Sequence, residues 1–138
     1  MSSVTQYLFS QGNPNFGTAG LLPLLPLELD FQSQSVSTVG LLDTGATVNV
    51  LPFKVGQQLG AIWEPKLATI QLGGNLAQYA ALPLIIFAKV AQFAPVRLAF
   101  AWTQAEDVPV ILGQVNFFLE FDVCFYRSRQ IFEIQPKK

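Results

Sequence analysis

The chain has 138 residues, a net charge of −1, 51% hydrophobic residues and only 12% charged ones, against a usual charged share of about 25%. That composition excludes a disordered chain, which lacks apolar surface to bury. It also excludes a nucleic-acid binder, since only Arg127/Arg129 and Lys137-Lys138 bring basic residues close together. There is no histidine and one cysteine, Cys124, so an intrachain disulfide and a Ser-His or Cys-His pair are ruled out, and no metal or cofactor is expected.

The length suits one domain with a real core, and the surplus of apolar residues implies a partner face, most simply for a second copy. The opening "MSSVTQYLFSQG" lacks the basic and apolar regions of a leader, so cytoplasmic location is expected. Residues 1–20 read as a loose arm and 21–138 as the domain. "LPLELDFQ", Leu25 to Gln32, alternates as a strand, with Glu28 and Asp30 on one solvent face. "SQSVS" reads as a turn, and "TVGLLDTG" as a second strand. "PFKVGQQLG" has Pro52 near its start and Gly60 at its end, the signature of a short helix.

"LATIQLGGNLAQYAAL", Leu67 to Leu82, predicts a hairpin with Gly73, Gly74 and Asn75 at its tip. The greasiest stretch, Ala80 to Trp102, contains Lys89, Arg97, Gln92 and two prolines. It therefore reads as two strands around a turn and not as the span of about 20 apolar residues that a membrane helix needs. "TQAEDVP" is a polar loop, with Glu106 and Asp107 solvated. "PVILG" is a strand ending at Gly113, "QVNFFLEF" is one or two helical turns, and "DVCFYRSRQIFEI" is a closing hairpin turning near Ser128. Cys124 reads as a small buried hydrophobe, and Trp63 and Trp102 as core. The class is all-β with one or two short helices.

One short stretch carries chemistry. In "LLDTGATVNVLP" two leucines drive a strand into the core and deliver Asp43 at its end. Gly45 permits a sharp turn and close approach of a ligand or chain, and Thr44 offers a hydroxyl. The tripeptide alone is common: average usage produces Asp-Thr/Ser-Gly in roughly one chain in twenty of this length, and a type I turn explains it. Its surroundings add specificity. "LLDTGA", "TIQLGGNLAQY" and "VILGQVNFF" follow one another in order.

Together these segments resemble the retropepsin-like aspartic proteases, from about Leu25 to Ile134. That family shows apolar-apolar-Asp-Thr-Gly-Ala, then a flap hairpin, then apolar-apolar-Gly before a short helix. Gln114 stands where retroviral members carry arginine, and the tip is poorer in glycine than theirs; both features point to the cellular and bacterial branch, as does "FLEFDV". The resemblance implies a closed β-barrel half-domain, active as a homodimer that hydrolyses a peptide or protein substrate. It implies catalytic roles for Asp43, Thr44 and Gly45, with Thr44 bonding across the dimer and the Gly45 N–H supporting the carboxylate. It implies substrate contacts from Ala46, Leu72, Gly73, Gly74, Asn75, Ile111, Leu112 and Gly113. Two readings from other classes stand beside it: the same fold as a catalytically silent dimerisation or peptide-binding module, and an unrelated small β-barrel containing the turn.

Overall fold

A computed structural model describes residues 3–12 and 14–138. The elements run β1 (Thr5–Leu8), β2 (Leu24–Phe31), β3 (Gln34–Leu42), β4 (Asn49–Leu51), α1 (Phe53–Gln58), β5 (Ile70–Gln71), β6 (Ala80–Lys89), β7 (Val96–Thr103), β8 (Val110–Leu112), α2 (Phe117–Glu120), β9 (Phe121–Tyr126) and β10 (Ile131–Pro136). The class is all-β with two short α-helices, as the turn spacing and alternation predict.

Six strands close on themselves in the order β2-β3-β8-β4-β7-β6, and β6 returns to β2. Closure removes the free strand edges that an open sheet would expose. Alternation fixes which side of each strand faces in. Leu25, Leu27 and Leu29 of β2 are buried while Pro26 is exposed. Leu98, Phe100 and Trp102 of β7 fill the centre, joined by Phe117, Phe121 and Phe132. A smaller apolar cluster of Val50, Leu72, Ala81 and Ala101 lies under the β5–β6 hairpin. A second sheet, β1-β10-β9, is wholly antiparallel.

Three local expectations differ from the structure. The segment 1–20, read as a loose arm, contains β1, whose Tyr7 stacks on Phe132 at 5.4 Å between ring centres; two aromatics in the first ten residues suffice to anchor it. The turn expected at "SQSVS" is tighter: Phe31 pairs with Gln34, so only Gln32 and Ser33 lie between the strands. Ser35 and Ser37 are strand residues facing solvent, and the Ser35 hydroxyl donates to Asp30 Oδ1. Cys124, expected buried, is exposed, because β9 borders a sheet packed on one face and Val123 takes the more buried side.

α1 closes one end of the barrel over Trp102. The Phe53 ring stacks on this indole at 5.4 Å, Trp63 meets it edge-on at 5.2 Å, and Trp102 Nε1–H donates to the Phe53 carbonyl at 3.1 Å. Gly56 fits against the same ring: a Cβ there would lie 2.2 Å from Trp102 atoms. Helix propensity favours alanine over glycine by about 1 kcal/mol, but overpacking a rigid buried ring costs roughly 1–3 kcal/mol. Gly56→Ala is therefore expected to lower the urea midpoint of unfolding; a raised midpoint would show that α1 moves off Trp102 at little cost.

Candidate active site

β3 and β8 run parallel, with Leu41 beside Ile111 and Leu42 beside Leu112. The chain leaves the barrel just after Leu42, and the Asp43 N–H donates to the Leu112 carbonyl at 3.0 Å. Asp43 is half-buried. The turn then closes twice: the Gly45 N–H donates to Asp43 Oδ1 at 3.0 Å, and the Ala46 N–H to the Asp43 carbonyl at 3.1 Å. Gly45 does not need a left-handed backbone here. A Cβ there would come within 3.3 Å of Asp43 Oδ1, a tight fit that the carboxylate would meet by shifting a few tenths of an ångström.

The segment after β8 locks this turn from the other side. Gln114 N–H donates to the Ala46 carbonyl and Val115 N–H to the Thr47 carbonyl, each at 2.9 Å, and the Asn49 N–H returns to the Val115 carbonyl at 3.0 Å. The two strands approach so closely that a Cβ on Gly113 would sit 2.5 Å from the Val48 oxygen. The Gln114 side chain donates through Nε2 to the Thr44 carbonyl at 2.8 Å.

Beneath the turn lies a buried amide network. Asn49 is fully buried. Its Oδ1 accepts from the Gly113 N–H at 2.8 Å, and its Nδ2 donates to the Ala99 carbonyl at 3.0 Å and to Asn116 Oδ1 at 3.2 Å. Asn116 Oδ1 accepts in turn from the Ala99 N–H, and its Nδ2 donates to the Arg97 carbonyl. β4, β7 and the exit of β8 are thereby tied together by two side chains. The sequence reading missed both asparagines. The signal was a lone polar residue inside "TVNVLP", since a polar group in a buried strand persists when its hydrogen bonds are satisfied.

Asp43 stands on the rim shared by two clefts. One, of about 420 Å³, lies under the β5–β6 hairpin. Of the residues singled out from the sequence, it brings together Asp43, Gly45, Ala46, Leu72, Gly73, Gly74 and Ile111, and it adds Val48, Val50 and Ile70. Gln71 at the hairpin's base donates to the Ala77 carbonyl, bracing the tip. The other cleft, of about 570 Å³, includes Thr44, Phe16, Leu22, Phe125 and Arg127.

Three expected contact residues lie elsewhere. Asn75 faces a separate polar hollow with Glu106 and Asp107, because the chain turns through a 3-10 segment at Gly74–Leu76. Leu112 is wholly buried in the core, since strand alternation gives the cleft to Ile111. Gly113 is buried against the 46–48 backbone. Among the described residues no three His, Cys, Asp or Glu side chains converge as a metal site, and no helix is long and apolar enough to cross a membrane.

The sequence matches no protein-family model and no curated protein. The structure does find a neighbour: a retropepsin-like aspartic protease from Rickettsia conorii superposes with a TM-score of 0.61 over 99% of this chain and 94% of that one, at 14% identity. The fold is that of the retropepsin-like proteases. The match spans nearly all of both chains, so the barrel, the β5–β6 hairpin and the β1-β10-β9 sheet all fall within the region of likeness. At such low identity the retropepsin fold is what the two chains share; the chemistry rests on this chain's own side chains.

Truncating Asn49 orphans the Gly113 N–H and the Ala99 carbonyl, each at a cost of about 1–3 kcal/mol when buried. Asn49→Ala is expected to lose about 2–4 kcal/mol of stability in urea unfolding. The Gly113 amide should also exchange with solvent faster than in the wild type. An unchanged Gly113 exchange rate would mean that the network does not anchor the exit of β8.

Proposed function

We propose that the protein is an aspartic endopeptidase that works as a homodimer. The observation that carries this reading is the Asp43 carboxylate, held by the Gly45 N–H at the edge of an apolar cleft in a retropepsin fold. One chain supplies one such carboxylate. Peptide hydrolysis by this chemistry needs two, so a second copy would set its own Asp43 across a two-fold axis.

Two carboxylates about 3 Å apart do not both ionise, and they share one proton. The ionised one takes a proton from water as its oxygen bonds to the peptide carbonyl carbon. The protonated one gives its proton to the carbonyl oxygen, and a tetrahedral diol forms. Return of a proton to the nitrogen then lets the C–N bond break.

Around this centre the remaining residues take supporting roles. Thr44, exposed beside Asp43, would bond to the partner's turn. Residues 72–76 would close over the bound peptide and exclude water, as mobile hairpins do in other enzymes. Val48, Val50, Ile70 and Ile111 in the cleft favour an apolar substrate side chain, with the peptide held extended by backbone bonds.

The test is cleavage of an unfolded protein and of a diverse peptide mixture from mildly acidic to neutral pH. Wild type should cleave and be blocked by a statine peptide, which mimics the tetrahedral intermediate. Asp43→Asn should lose about ten-thousandfold or more in rate, while its fold and dimer persist, because the substitution removes repulsion between two carboxylates. Equal cleavage by Asp43→Asn would take Asp43 out of the site. No cleavage by a folded dimer at any pH would leave the retropepsin fold serving as a binding or dimerisation module.

A further inference from the structure

We infer that Gln114 is a positioning residue for Asp43, acting through the Thr44–Gly45 peptide group; its kinetic consequence rests on the protease reading above. The two ends of one peptide plane are occupied at once. Its carbonyl, on Thr44, accepts from Gln114 Nε2 at 2.8 Å. Its N–H, on Gly45, donates to Asp43 Oδ1 at 3.0 Å. The side-chain amide of Gln114 therefore reaches the carboxylate in two hydrogen bonds and one rigid peptide.

Two physical effects follow. A planar group held at both ends cannot rotate without breaking one bond, so the Oδ1 direction is set by where Gln114 stands. Donation to the carbonyl also polarises the peptide and strengthens the N–H as a donor, the usual cooperativity of hydrogen-bond chains. The Gln114 backbone is fixed independently by its N–H bond to Ala46, which places the side chain opposite Thr44. Gln114 itself is exposed and outside the core, so its replacement leaves the packing of the barrel intact.

The chemistry required at position 114 is a donor that reaches a carbonyl. Arginine and lysine meet that requirement, glutamate does not, and alanine does not. This distinguishes positioning from mere bulk: glutamate has the size of glutamine but presents only acceptor oxygens to the Thr44 carbonyl when ionised. A residue that only filled space would be replaced by glutamate without loss.

The experiment compares wild type, Gln114→Ala, Gln114→Glu and Gln114→Arg by steady-state cleavage, by hydrogen exchange at the Gly45 amide and by urea unfolding. Loss of one such bond, about 1.4 kcal/mol for each factor of ten, is expected to lower kcat about tenfold in the alanine and glutamate variants with KM little changed. The Gly45 amide should exchange about tenfold faster, the urea midpoint should stay near that of wild type, and arginine should restore both kcat and protection. Wild-type kcat and Gly45 protection in Gln114→Ala would overturn the inference. So would a loss of kcat that follows a lowered urea midpoint and is not rescued by arginine. If wild type cleaves nothing, the protease reading fails by itself, and Gly45 exchange still decides the role of Gln114.

Discussion

The buried Asn49 amide is the constraint on which the site depends. A barrel in which β8 lies parallel to β3 and antiparallel to β4 must insert a distant segment between two strands that are consecutive in the chain. Backbone ladders end there, because β4 and β8 are only three residues long. An unpaired amide at that depth would cost more than most single contacts provide. Asn49 and Asn116 fill the gap with side-chain donors and acceptors, and among the described residues no buried side-chain nitrogen or oxygen is left without a partner.

Everything above that network inherits its position. The exit of β8 is held, so Gly113 and Gln114 run alongside residues 46–48, and the turn carrying Asp43 is clamped between β3 and this strand. The carboxylate thus sits on a clamped turn, held by the Gly45 N–H, at the rim of two clefts. A reactive group benefits from that arrangement, since orientation set in advance lowers the barrier for a bound substrate. Beside the turn stands the β5–β6 hairpin, where β5 contributes two residues and the tip lies above a small apolar cluster.

Much of the fold was legible in the residues. Alternation in "LPLELDF" and "VRLAFAW" predicts strands because the barrel has one wet and one dry face. Pro52 and Gly60 bracket α1, and Gly73-Gly74 marks the hairpin tip. Asp43 stood out because "LLDTGA" is followed in order by "TIQLGGNLAQY" and "VILGQVNFF". Cys124 misled, since apolar neighbours do not reveal which face of a one-sided sheet a residue takes. Leu112 misled in a related way: a motif names neighbours, whereas strand alternation decides that Ile111 meets the cleft and Leu112 the core.

The sequence by itself determined the all-β class and the order of the elements from β2 onward, and it singled out Asp43, because those depend on local periodicity and turn preference. Only the tertiary structure decided ring closure through β2 and β6, the strand Thr5–Leu8, and the clamp of Asn49, Gln114 and Thr44 around the turn of Asp43. Those contacts join residues as far apart in the chain as Thr5 and Ile134, and no local pattern encodes them. The Asn49 bonds exist because closing the barrel puts polar groups where water cannot reach, and each such group has to find its partner in another part of the chain.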